Sequence, residues 1–120
     1  MQANTPEAVL QAYITGSRDL DRPKLATCFH PKATLTGFLE GTRIQGGIGL
    51  FLDDVTRMTA AGVRNEGYAG RIDSLTVQGA VASAAITMSG FAGLNFRDYM
   101  HLIEEDGHWT IINKLFTTVD

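Results

Sequence analysis

Apolar residues return at three- and four-residue spacing near the start of the chain: Val9, Leu10, Tyr13 and Ile14 fall on one stripe, the signature of an amphipathic helix. Thr5 suits the N-cap, Pro6 the first helical position, Glu7 the positive helix end and Gly16 the exit. Asp21 opens a second, shorter helix through Leu25, Ala26 and Phe29, which His30-Pro31 stops because the residue before proline avoids the helical region. Residues 33–39 are rich in threonine and large apolar groups and read as a strand closed by Glu40-Gly41. A short extended piece over 42–45 follows. Gly46-Gly47 then leads into Ile48, Phe51, Leu52, Val55 and Met58, which predict a third helix ending near Gly62.

The second half changes period. Between Glu66 and Thr118, turn signals at Gln78-Gly79, around Gly93 and at Asp106-Gly107 separate four runs that read as a β meander. Asp106-Gly107 is the clearest of these, since a two-residue type I′ turn needs positive φ at both positions. Gly70, Gly90 and Gly93 interrupt the strands as bulges and bends do, which predicts a curved sheet. The predicted architecture is α+β: three helices covering one face of a long antiparallel sheet that curves around them.

A two-residue loop at Asp106-Gly107 also sets a register, pairing Glu105 with His108. Arg97, Tyr99, His101, Ile103, Thr110, Ile112, Lys114 and Phe116 then share one face, and Tyr99 stands opposite Lys114. Asp98, Met100, Leu102, Glu104, Trp109, Ile111, Asn113 and Leu115 share the other. Both faces are partly apolar and one layer of helices covers only one, so the face left uncovered is a candidate homodimer contact.

The chain of 120 residues is 44% hydrophobic and 19% charged, which suits a single domain over 1–120. A formal net charge of −3 lacks the basic footprint of a nucleic-acid partner. Apolar runs are too short to cross a bilayer and no basic-then-apolar leader opens the chain, so a soluble cytoplasmic protein without a membrane partner is expected. One cysteine, Cys28, forms no internal disulfide.

Phe29-His30-Pro31-x-Ala33-x-Leu35-Thr36-Gly37, with Asp98-Tyr99-x-His101-Leu102 before Asp106-Gly107-His108-Trp109-x-Ile111-x-Asn113-Lys114, resembles the lumazine-binding branch of the nuclear transport factor 2-like superfamily. Essentially the whole chain is covered. The resemblance implies a cystatin-like cone, three N-terminal helices packed into the concave face of a strongly curved mixed, largely antiparallel sheet. It also implies a pocket between helices and sheet, frequent dimers on the outer sheet face, and kinship with polyketide cyclases and ketosteroid isomerases. Function transfers poorly within a fold that hosts so many chemistries. Isomerase-type members place a carboxylate base on the first strand, where this chain reads Thr34-Leu35-Thr36-Gly37. By similarity to those enzymes, the face carrying Tyr99, His101, Ile112, Lys114 and Phe116 turns toward the pocket, which leaves Trp109 and Leu115 on the outer face as the expected homodimer contact.

His101 is the first candidate for general-base chemistry, because imidazole exchanges protons near neutral pH. Tyr99 could orient a carbonyl and Lys114 stabilise an oxyanion. The bland reading has His101 hydrogen-bonded within the sheet, Tyr99 packed by its ring and Lys114 snorkelling to water. Tyr13 points into the pocket in the resembling isomerases, or is a core tyrosine with a satisfied hydroxyl. His30 caps a helix end or lines the site. Asp98 and Glu104 are expected at solvent or the dimer contact. His30, His101 and His108 lie on separate elements without metal-ligand spacing, so neither a metal nor a cofactor is expected. Gly46-Gly47-Ile48-Gly49 lacks the rest of a phosphate loop. The leading expectation is a binding module whose apolar pocket, lined by Tyr13, His30, Phe38, Phe51, Met88, Tyr99, His101 and Phe116, holds a small hydrophobic or aromatic molecule. The alternatives are a cofactor-free isomerase, dehydratase or cyclase with His101 as base, and a dimeric interaction subunit without catalysis.

Overall fold

Thr5 caps α1 (Pro6–Asp19), its hydroxyl accepting from the Ala8 amide at 3.1 Å. The structure, a computed structural model, describes residues 4–120. The helix runs past Gly16 and stops at Leu20, which takes a φ of 50° and returns its amide to the last carbonyls. Gly16 therefore serves packing rather than termination: a Cβ there would stand 3.0 Å from Leu25 Cγ. Asp21 caps α2 (Arg22–Cys28) by accepting from the Lys24 amide at 3.1 Å.

The chain leaves α2 directly into β1 (Phe29–Leu39), so the strand begins before the position its composition predicts. His30-Pro31 ends the helix as expected yet lies inside the strand. A register irregularity between Phe29 and Thr34 leaves room there for a proline without an amide donor. β2 (Thr42–Gly47), α3 (Gly49–Ala60), β3 (Ala69–Gln78), β4 (Val81–Phe91), β5 (Leu94–Glu105) and β6 (His108–Val119) complete the order. The strands form one open six-stranded sheet in the order β2-β1-β6-β5-β4-β3, with β1 and β6 parallel and every other pair antiparallel. This is the α+β class that the pattern predicts, with the parallel β1–β6 pair making the sheet mixed.

Leu10, Tyr13, Leu25 and Val55 from the helices meet Ile86, Met100, Leu102 and Ile111 of the sheet, and all eight are essentially inaccessible to solvent. Each such side chain contributes roughly 1.5–3 kcal/mol through burial, so this seam holds the helices on the sheet.

The last hairpin begins as predicted. Asp106 and Gly107 take φ of 52° and 76°, and Glu105 pairs with His108. The predicted register then fails at one residue. Leu102 pairs with Ile111 while His101 pairs with Asn113, so Ile112 is an extra residue on β6. Because side chains alternate with period two, this bulge reverses the facing of everything beyond it relative to β5. Tyr99 therefore stands opposite Leu115, and Lys114 opposite Met100. Lys114 and Phe116 share the inner face with Asp98 and Met100, whereas Tyr99 and His101 face outward with Leu115. Trp109, only 5% exposed, lies on the inner side and Leu115, 46% exposed, on the outer. The predicted pairing of Trp109 with Leu115 on one outer surface is thus corrected.

Candidate functional site in the cone

A cavity of about 280 Å³ opens between α3 and the inner face of the sheet. Leu35 and Leu39 of β1, Phe51 and Met58 of α3, Met88 and Phe91 of β4 and Phe96 of β5 form its apolar wall. Phe51, Met88 and Phe116 are where the sequence reading placed them. Asp98 and Lys114 lie among these walls, and Asp54 and Arg57 of α3 supply further polar groups, paired with one another across one helical turn.

Asp98 is 1% exposed. Its Oδ2 accepts the Tyr13 hydroxyl at 2.5 Å, and its Oδ1 has no hydrogen-bond partner among the described residues. Burial raises the carboxyl above the usual carboxylate range, against the lowering effects of the nearby Lys114 and of the Tyr13 hydrogen bond. Burial likewise holds the Tyr13 hydroxyl well above its ordinary range, reinforced by Asp98.

Lys114 is 6% exposed, and no hydrogen bond or ion pair engages its Nζ among the described residues. Nζ lies 3.5 Å from the centroid of the Phe51 ring, with the Tyr13 and Phe116 rings at 5.3 and 5.5 Å. Burial lowers its basicity from the ordinary lysine value, opposed by the fields of Asp98 and Asp54. Two buried groups thus have their ionisation pushed in opposite directions, each toward its neutral form.

The remaining sequence candidates lie elsewhere. Tyr13 is fully buried and acts on the cavity through Asp98. Tyr99 is 47% exposed on the outer face, where it lines no part of the cavity. His101 borders a shallow outer groove with Thr76, Ser83 and Ile112, so the predicted trio of His101, Tyr99 and Lys114 is split between the two sides of the sheet. Phe38 is exposed because the inward positions of β1 are Leu35, Gly37 and Leu39. His30 is tied locally, with Nε2 3.1 Å from Glu105 and Nδ1 accepting the Lys32 amide. Asp98, expected at solvent or at a dimer contact, is instead the buried acid of the cone. No cluster of three or more metal-ligating side chains occurs among the described residues.

A family model described as "Putative lumazine-binding" matches residues 2–117. The chain belongs to this family. No curated protein matches it. Among solved structures, this lumazine-binding-family chain is similar to a nuclear transport factor 2-like protein of unknown function from Shewanella baltica OS155, at 23% identity and a TM-score of 0.84, covering 94% of this chain and 90% of that one. A similar protein from Silicibacter pomeroyi DSS-3 shares 25% identity with a TM-score of 0.81, covering 94% and 92%. A domain with a cystatin-like fold from Nostoc punctiforme PCC 73102 shares 17% identity with a TM-score of 0.72, covering 94% and 74%. The lumazine-binding-family chain accordingly has the nuclear transport factor 2-like fold, as its motifs imply.

The one signal that could have found Asp98 in the sequence of this family member is its spacing. Phe96, Asp98, Met100 and Leu102 alternate as a single buried face, in which Asp98 is the lone charge. A carboxylate within an apolar stripe is the exception that calls for a partner.

Proposed function

We propose that the protein binds a compact, largely apolar small molecule in the cone, oriented by one oxygen-bearing group that meets Asp98 and Lys114. The observation that carries this reading is the unpartnered Oδ1 of Asp98, buried beside a cavity whose walls are otherwise mostly hydrocarbon. A buried polar atom without a partner is costly, and a ligand's hydroxyl or carbonyl would satisfy it. In its neutral form, which burial favours, the Asp98 carboxyl can donate to a carbonyl oxygen while Tyr13 holds its other oxygen in place. The family description names lumazine, a bicyclic ring with several nitrogen and oxygen acceptors. The apolar walls here favour a ligand with a single polar end.

The test is saturation-transfer NMR with 4-phenylbutan-2-one and 4-phenylbutan-2-ol on the full chain. Binding to the wild type and its loss in the Leu94→Trp variant, which fills the cavity from the Leu94 position in its wall, support the reading. Failure of both compounds to bind the wild type overturns it.

A second reading is catalysis by proton transfer of the isomerase, dehydratase or cyclase kind, favoured by the opposed shifts of Asp98 and Lys114. In it Asp98 takes the role first given to His101. Steady turnover of a bound ketone, abolished by Asp98→Asn, distinguishes catalysis from binding. A homodimer built on the outer face would use Tyr99 and Leu115, which are exposed, and not Trp109. Sedimentation of Leu115→Lys against wild type tests that surface.

No helix among the described residues is long and apolar enough to cross a membrane.

A further inference from the structure

Lys114 is an unusual group to find in the wall of this cavity. A lysine normally snorkels its amine to water or pairs it with a carboxylate. Here the side chain is 94% buried, Nζ faces aromatic rings, and no carboxylate lies within ion-pair distance among the described residues. The register places Lys114 opposite Met100 and Phe116 opposite Asp98, so the amine and the carboxyl are diagonal neighbours on one face of a hairpin, both lining the cavity.

We infer that Lys114 is a covalent capture site for an aldehyde or ketone held in the cavity, forming an imine with Asp98 as the proton carrier. The inference rests on the binding reading above and names the class of ligand for the same site. Four titratable groups bear on it: Asp98 on β5, Tyr13 on α1, and Asp54 and Arg57 on α3. Desolvation favours the neutral amine, the nucleophilic form.

The chemistry closes without any further reactant. The Nζ lone pair attacks the carbonyl carbon, a C–N bond forms, and the carbonyl π pair moves to oxygen, which takes the proton of the Asp98 carboxyl. The resulting Asp98 carboxylate removes a proton from the attacking nitrogen and returns it to the new hydroxyl. That oxygen leaves as water while the nitrogen pair closes the C=N bond. The products are an iminium ion on Lys114, an Asp98 carboxylate and one water. Nothing is oxidised or reduced, and the net charge of the pair stays at zero. The iminium ion then lies beside a carboxylate and over the Phe51 ring, two features that attract a cation. Tyr13, already donating to Asp98 Oδ2, stabilises the carboxylate that the reaction creates.

The experiment treats the full chain with 3-phenylpropanal and sodium cyanoborohydride at pH 7, reads the intact mass, and maps modified peptides. Reduction of the imine adds the mass of the aldehyde less one oxygen atom. The expected result is modification at Lys114 severalfold faster than at the exposed Lys32, because the cavity holds the aldehyde against a desolvated amine. An excess of 3-phenylpropan-1-ol, which cannot form an imine, should slow Lys114 and leave Lys32 unchanged. Lys114→Met should lose the early adduct, and mapping of the wild type reads the same site even where that variant folds poorly. Asp98→Asn should slow labelling of Lys114, and an unchanged rate would remove Asp98 from the proposal. Equal labelling of Lys24, Lys32 and Lys114 while the alcohol still binds by NMR overturns the imine and leaves the cavity reading standing. Absence of both labelling and alcohol binding overturns the two together.

Discussion

Tyr13 donates its hydroxyl to Asp98 at 2.5 Å across 85 positions of sequence, joining the first helix to the middle of the fifth strand in the interior of the cone. Neither residue reaches bulk water, so the bond is made where an unpartnered polar group is most costly. It anchors α1 over the sheet, and it also limits Asp98 to one free oxygen on the cavity side.

Tyr13→Phe removes the donor and leaves both Asp98 oxygens without a partner. Stability should fall by about 1–3 kcal/mol, the cost of orphaning a buried acceptor. Because the Tyr13 hydrogen bond holds the Asp98 carboxyl down against desolvation, its loss should move that group's titration upward. Denaturant unfolding measures the first effect, and carbon-detected NMR of the Asp98 carboxyl measures the second.

Lys114 contributes a signed pH dependence. Its basicity in the fold lies below the ordinary 10.5, so between the folded value and 10.5 the unfolded chain binds more protons and stability rises with pH. The raised Asp98 acts oppositely: stability falls as pH climbs from the ordinary 3.8 through its folded value. Lys114→Met removes the first effect and, by taking away a cation that lowers Asp98, extends the second. The difference in unfolding free energy, wild type minus Lys114→Met, should therefore increase with pH below 10.5, and urea titrations at a series of pH values check the slope.

Gly37 pairs with Phe116 in the parallel register, and a Cβ there would run into the Phe116 carbonyl and ring. Gly37→Ala should destabilise by about 1–3 kcal/mol, the usual scale of overpacking, and displace Phe116 in the cavity wall. Thermal unfolding together with the aromatic NMR signals of the cavity reads both changes.

Deleting Ile112 and substituting it should have opposite outcomes. Ile112→Ala keeps the extra residue of the bulge and should fold with modest loss. Deletion restores strict alternation, which turns either Lys114 and Phe116 outward or Trp109 and Ile111 away from the core. Circular dichroism and limited proteolysis of the two variants should separate them sharply.

Cys28 is 2% exposed, and burial pushes its thiol up to about 11, so little thiolate is present at neutral pH. Alkylation by iodoacetamide at pH 7 should track global unfolding, slow in buffer and fast in denaturant, as followed by intact mass.

Most of the secondary structure was legible in local pattern. The stripe of Val9, Leu10, Tyr13 and Ile14, the caps at Thr5 and Asp21, and the Asp106-Gly107 turn each follow from interactions within a few residues, and the structure reproduces them. Less of the site was legible. Phe51, Met88, Lys114 and Phe116 line the cavity as read, whereas Tyr99 and His101 face away from it and Asp98 replaces them.

That division has one physical cause. Helix stripes, caps and turns depend on neighbours along the chain, so the sequence by itself determined the elements, their order and the α+β class. Which face of the last hairpin looks inward depends on a single unpaired residue, Ile112, whose bulge is settled by how β6 packs between β1 and β5. Only the tertiary structure decided that parity, and with it that the buried chemistry of the cone is Tyr13, Asp98 and Lys114.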